Sequence, residues 1–117
     1  MSPSLPCVRD WDDYVRFAAA RPRLYAAMMS RVLQGAQIQA AQEAFALLIE
    51  RIATIDAQGR LALTVAEAAD LMWASANAAS MLYVTAHLRN TAPPTGDVLK
   101  DIRENALGTI LTPESEG

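Results

Sequence analysis

Apolar residues recur at intervals of three and four along most of this chain, which is the spacing of an amphipathic α-helix. The clearest run spans residues 38–55, and Gly59 follows it at the position of a left-handed helix cap. This pattern predicts a helix, the third of five in the chain, with Glu43 and Glu50 on its solvated face. The apolar positions of the run are Ile38, Ala41, Phe45, Leu48, Ile52 and Ile55, with Ile49 widening the stripe.

Two shorter helices are predicted before it. Asp10 is a suitable cap for the first, and the second begins at Pro22, because proline fits the first turn of a helix and interrupts a preceding one. Gly35 is the predicted end of the second helix. The apolar stripes are Trp11, Tyr14, Val15 and Ala18 in the first helix and Tyr25, Met28, Met29 and Val32 in the second.

A fourth and a fifth helix complete the predicted all-α fold. Thr64 and Glu67 have the spacing of a capping box, which opens a helix over residues 65–89. Such a helix is about 37 Å long, and two prolines at 93 and 94 stop it before a fifth helix over residues 96–111. The fifth helix has an apolar face of Leu99, Ile102, Ala106 and Ile110.

The fourth helix is apolar on nearly every side, whereas a surface helix of a monomer keeps a wide polar face. Five helices offer enough material to cover one side of it well. A second copy of the chain related by a two-fold axis would cover the rest, and Ala74, Ala78 and Ala79 would allow close approach. The alternative is a central helix enclosed by its own neighbours.

The net charge and the residue counts argue against several classes of function. The net charge of −3 provides no basic footprint for duplex DNA, so the chain alone is not expected to bind DNA specifically. One cysteine and one histidine, His87, argue against a metal site or a catalytic triad. The five glycines are too dispersed for a phosphate loop. We expect no enzyme activity, no cofactor and no metal.

No secretory signal and no apolar run long enough to span a membrane is visible, so we expect a cytoplasmic protein without a membrane partner. The predicted organisation is a flexible lead-in at residues 1–9, one helical domain at 10–111 and a polar tail at 112–117.

The order of elements resembles the C-terminal regulatory domain of TetR/AcrR-family transcriptional repressors. Residues 17–29, FAAARPRLYAAMM, are similar to the helix break of that family, where a Pro-x-x-Tyr segment precedes an apolar helix. Residues 71–82, LMWASANAASML, resemble the segment of a subgroup characterised by Trp-x-x-x-His-Gly. Trp73 matches, whereas Asn77 and Ala78 stand at the histidine and glycine positions.

The resemblance implies that residues 10–111 bind an effector and dimerise. It also implies that the helix-turn-helix, which precedes this region in the family, is missing here, as in a truncated product, an excised domain or a surviving fragment. DNA would be a partner only through that missing N-terminal domain. A small apolar effector would release DNA in the full-length protein, and a homodimer would form through the last two helices. The predicted interface residues are Ala78, Leu82, Leu99, Ile102 and Ile110.

We also expect an apolar effector cavity of about 300–1,000 Å³ between the second, third and fourth helices. Asn77 or Tyr25 would form its polar end, because a buried amide without a partner is costly. The predicted lining is Tyr25, Met28, Met29, Phe45, Leu48, Trp73 and Asn77, with Met81 nearby. Ordinary core filling is the competing interpretation of these side chains. Two other functions stay open: a stand-alone helical protein-interaction module, and a small-molecule-binding bundle without a role in transcription.

Overall fold

The computed structural model describes residues 6–113, and the all-α prediction is confirmed. The five helices are α1 (Pro6–Ala20), α2 (Pro22–Leu33), α3 (Gln39–Ala57), α4 (Val65–Arg89) and α5 (Gly96–Ile110). Among the described residues, the β-structure consists of an isolated antiparallel bridge between Leu61 and Leu111. Within residues 6–113, no helix is both long enough and apolar enough to cross a membrane.

Helix α1 begins four residues earlier than the sequence predicts. Pro6 opens it, so the predicted flexible lead-in is wrong for residues 6–9, and residues 1–5 lie outside the described part. Asp10 therefore lies inside the helix and cannot cap it. The physical reason is that Cys7, which is buried, extends the apolar stripe by one more turn against the core.

The predicted ends of α2 and α3 are confirmed. Gly35 and Gly59 have φ angles of 90° and 72°, in the left-handed region where glycine has no steric cost. Asn90 ends α4 in the same conformation, with φ 58°, which places the end of that helix ahead of the two prolines. After α5, the Thr112 amide donates to the Arg60 carbonyl at 2.8 Å, while residues 114–117 of the predicted tail lie outside the described residues.

The capping box at the start of α4 is present as predicted. The Glu67 amide donates to the Thr64 hydroxyl at 3.1 Å, and the Glu67 carboxylate accepts from the Thr64 amide at 3.1 Å. The hydrogen bond from the Thr64 backbone holds the pKa of the Glu67 carboxyl below its usual value. A lowered folded-state pKa means that this carboxylate stabilises the fold above its unfolded pKa, and the stabilisation is lost as pH falls through the folded pKa.

We therefore expect the Glu67→Gln variant to lose less stability than the unmodified chain when the pH is lowered from about 6 to about 3. Glutamine still offers an oxygen to the Thr64 amide but does not titrate. Urea unfolding at the two pH values measures the difference. The control is Glu50→Gln, at an exposed position of α3. If the unmodified chain and the Glu67→Gln variant lose the same stability when the pH is lowered, titration of Glu67 does not contribute to the acid sensitivity of the fold.

Helix α4 is the centre of the fold and contacts each of the other four helices. The chain measures 49 × 32 × 19 Å, and its smallest dimension corresponds to two layers of helices of about 10 Å each. The core therefore lies on one side of α4, while the opposite side faces solvent. The buried core residues are Cys7, Trp11, Val15, Ile52, Ile55, Ala68, Met72, Ala76, Ala79, Leu107 and Ile110.

Candidate functional site

A pocket of about 300 Å³ lies between α1, α3 and α4, and we call it the α1 pocket. Helix α1 supplies nearly half of its lining, α3 supplies three small or aliphatic side chains, and α4 supplies the remainder. The lining residues are Cys7, Asp10, Trp11, Asp13, Tyr14, Ala44, Leu47, Leu48, Met72, Trp73 and Ala76. The pocket thus combines an apolar wall and three aromatic rings with two carboxylates.

Hydrogen bonds inside the protein hold two of the aromatic rings in place. The Trp11 indole Nε1–H donates to the Ser75 hydroxyl at 2.9 Å, and that hydroxyl donates to the Met72 carbonyl at 2.8 Å. The Tyr14 hydroxyl donates to the Asn77 side-chain oxygen at 2.6 Å. Because these polar atoms already have protein partners, the two rings offer the pocket mainly their apolar surfaces.

The two carboxylates each pair with one arginine. Arg51 Nε lies 3.2 Å from Asp10 Oδ2, joining α3 to α1, and Arg16 Nη1 lies 3.1 Å from Asp13 Oδ1 on α1 itself. Each arginine bonds one oxygen of its carboxylate. Both pairs are at least partly exposed to solvent, so they contribute little to stability. Because both carboxylates line the pocket, they influence which charge a bound ligand can carry.

Cys7 is the one thiol at this pocket. Burial raises the pKa of the Cys7 thiol above its ordinary value, so the protonated form dominates near neutral pH. A buried thiol that stays protonated behaves as a small apolar group, and Cys7 contributes such a group to the wall of the pocket.

A second pocket, of about 490 Å³, lies between the α2–α3 connection, α3 and the first half of α4. Trp73 lines both pockets. Its ring meets Phe45 edge to face, with centroids 6.3 Å apart and planes at 90°. The second pocket is lined by Val32, Ala36, Gln37, Ile38, Ala41, Gln42, Phe45, Ala46, Ile49, Asp70 and Trp73.

The structure divides the predicted cavity residues among several places. Leu48 and Trp73 line the α1 pocket, and Phe45 lies with Trp73 at the second pocket. Tyr25 is fully buried in a separate small cluster, and Met28 and Met29 pack against that cluster. Met81 is 43% exposed on the far side of α4. One cavity enclosed by α2, α3 and α4 is therefore not formed by these side chains.

The prediction that Asn77 or Tyr25 forms the polar end of the pocket is also wrong. The Asn77 side-chain oxygen accepts from the hydroxyls of both Tyr14 and Tyr25, and its Nδ2 donates to the Trp73 carbonyl at 3.1 Å. Burial raises the pKa of both tyrosines, so their hydroxyls stay protonated donors. Protein groups thus satisfy the amide, and neither Asn77 nor Tyr25 lines the two pockets described above.

Sequence reasoning missed the contribution of α1. Asp10 is predicted to be a helix cap, whereas Asp10 and Asp13 both lie within the helix and at the pocket. A signal was present, because Cys7, Trp11 and Ala18 fall on one helical face with the predicted stripe. Extending that stripe to Cys7 would have placed the start of α1 before Asp10.

The predicted dimer residues separate into an exposed and a buried group. Ala78 and Leu82 are exposed on the side of α4 that faces away from the core. Leu99 and Ile102 pack inward against the core, and Ile110 is fully buried there, so Ile110 presents no surface to a partner. We define the outer face of α4 as the exposed residues Leu71, Ala74, Ala78, Met81, Leu82, Thr85 and Leu88.

Over residues 6–113, no group of three or more His, Cys, Asp or Glu side chains is arranged to hold a metal ion. Comparisons with protein-family models, curated proteins and solved structures gave no match to this chain. The resemblance to the TetR/AcrR family stays a prediction from the sequence.

Proposed function

We propose that this chain is a ligand-binding and dimerisation domain of a TetR-type transcriptional repressor. A small, largely apolar effector would occupy the α1 pocket. A second copy of the chain would cover the outer face of α4. In a full-length regulator, the effector would change the geometry of the dimer and thereby release DNA.

The observation that carries this proposal is the double role of α4. One side of the helix contributes Met72, Trp73 and Ala76 to the α1 pocket. The opposite side presents Leu71, Met81 and Leu82, which are each about two fifths exposed, as well as Leu88 at 65%. A ligand that shifts α4 from the pocket side would therefore also shift the proposed dimer surface. Coupling between two such sites is reciprocal, because each binding event alters the same element.

The pocket supports the ligand part of the proposal through its composition. Ligand sites are concave and mainly apolar, with a few polar groups, and volumes of about 300 Å³ or more are typical. The α1 pocket meets this description with Trp11, Tyr14 and Trp73 on its wall and two carboxylates. Its volume of about 300 Å³ favours a compact ligand, with one or two rings.

Native mass spectrometry of the purified chain tests both parts together. We expect an ion of twice the chain mass, because an exposed apolar stripe such as that on α4 usually marks an interface with a partner. We also expect a small co-purified adduct that is lost from a Leu48→Arg variant, in which a charged side chain would occupy the α1 pocket. The matched control is Ala53→Arg, at an exposed site of the same helix. A bare monomer would contradict the proposal.

The main alternative is a helical interaction module that docks a different protein on the outer face of α4. The same exposed stripe supports this function, because a long apolar helix face fits another amphipathic helix. The two functions differ in the state of the isolated chain. The interaction module would be a monomer with no ligand in the α1 pocket.

A further inference from the structure

We propose that the ligand of the α1 pocket is a compact aromatic cation, such as an aryl-substituted quaternary ammonium. This inference rests on the proposed function, because it concerns the same pocket, and adds the charge and shape of the ligand. It depends on the charged groups and aromatic rings that line the pocket.

The charged residues that line the pocket are both acidic. Asp10 and Asp13 contribute two carboxylates, and no lysine, arginine or histidine is among the described lining residues. Arg51 and Arg16 engage one oxygen of each carboxylate and do not line the pocket themselves. The oxygen of each carboxylate that does not bond its arginine would attract a ligand cation, whereas an anion would meet like charge that the arginines offset only in part.

The aromatic wall points to the same class of ligand. Trp11, Tyr14 and Trp73 line one pocket of about 300 Å³, so a group inside it lies close to several rings. The faces of such rings carry negative partial charge and attract cations, most strongly in tryptophan. The donors of Trp11 and Tyr14 are bonded to Ser75 and Asn77. These two rings therefore lack a free donor for an anionic ligand.

The shape of the pocket limits the size of the cation. Leu47, Leu48 and Met72 are the principal aliphatic side chains of the lining and would contact the hydrocarbon part of the ligand. Cys7 adds a buried, protonated thiol that behaves as a small apolar group. A single ring on a short alkyl chain, with the ammonium group at the carboxylates, combines the required features.

Three probes of similar size test the charge preference: phenylpropyl-trimethylammonium as the cation, phenylbutanol as the neutral compound and phenylbutyrate as the anion. Intrinsic fluorescence reports their binding, because both tryptophans of the chain line this pocket. Trp11→Phe and Trp73→Phe variants each leave one reporter. We expect the cation to alter both emissions and to bind roughly three- to tenfold more tightly than the neutral probe, with the anion weakest.

Asp13→Asn is the variant that tests the carboxylate, because its ion pair with Arg16 is exposed and its loss should leave the fold intact. We expect this variant to have a weaker preference for the cation, because Asp10 and the aromatic rings then supply the remaining attraction. Asp101→Asn, at an exposed position of α5, is the matched control and should keep it. Equal binding of the cation and the neutral probe would overturn the charge inference and leave the ligand-binding function standing. Failure of all three probes to alter either tryptophan at millimolar concentration would overturn the inferred ligand class, whereas the ligand-binding function is tested separately by the co-purified adduct.

Discussion

Asn77→Ala is expected to lower the free energy of unfolding by about 1–3 kcal/mol, which is the usual cost of removing the acceptor of a buried hydrogen-bond donor. Asn77 accepts hydrogen bonds from Tyr14 and Tyr25, which come from two other helices. The hydroxyls of the two tyrosines are 3.5 Å apart, so after the substitution one can still bond the other. The second hydroxyl then loses the acceptor that it has in the unmodified chain.

Chemical denaturation of the variant at neutral pH measures this loss. Asn105→Ala is the control, because Asn105 is exposed on α5 and surface substitutions usually change stability by less than about 0.5 kcal/mol.

A double-mutant cycle separates the hydrogen bonds from other effects of the substitution. In a chain that already carries Tyr14→Phe and Tyr25→Phe, the donors to Asn77 are absent. Replacing Asn77 there should cost much less than in the unmodified chain. If Asn77→Ala lowers the free energy of unfolding equally in both backgrounds, the cluster of Tyr14, Tyr25 and Asn77 does not stabilise the fold through these hydrogen bonds.

Ala78→Arg is expected to weaken the proposed homodimer by at least about two orders of magnitude in dissociation constant, because an unpaired charge in an apolar interface costs several kcal/mol. Ala78 is exposed at the middle of the outer face of α4. An arginine there can extend into solvent in the monomer, so the substitution should leave the helical content and the unfolding of the monomer unchanged. The variant should therefore change dimerisation and leave folding unaffected.

Sedimentation equilibrium over micromolar concentrations, with circular dichroism on the same samples, measures the two properties separately. Ala53→Arg places the same charge on an exposed alanine of α3 and should leave the dimer intact. The interface is wrongly placed if the Ala78→Arg variant stays dimeric. A monomeric unmodified chain in the same range would instead favour the interaction module.

The elements of the fold were predictable because their signals are local. The capping box at Thr64 and Glu67 and the left-handed glycines at positions 35 and 59 act over one helical turn. The limits of α4 follow from such signals and agree with the structure at both ends. The start of α1 was misplaced because Asp10 has the chemistry of a cap, whereas burial of Cys7 extends the helix beyond it. A tertiary contact there outweighs a local preference.

The candidate pocket depended on contacts between distant segments. The sequence showed that α4 has too many apolar positions for a surface helix, but it could not show which of them face α1. The bond from Trp11 to Ser75 joins residues 64 positions apart. That from Tyr14 to Asn77 joins residues 63 positions apart. These two contacts decide that aromatic rings of α1 line the pocket and that the amide of Asn77 is satisfied inside the protein.

The spacing of apolar residues thus determined that this chain forms five helices and that the fourth is the most apolar, because helix periodicity and capping depend on neighbours within a few residues. Only the tertiary structure decided that α1 brings Asp10 and Asp13 to a pocket, that Ile110 is buried and that Ala78 faces solvent. The reason is physical: every helix here has several apolar positions, and packing against particular partners selects which of them form the core and which stay exposed.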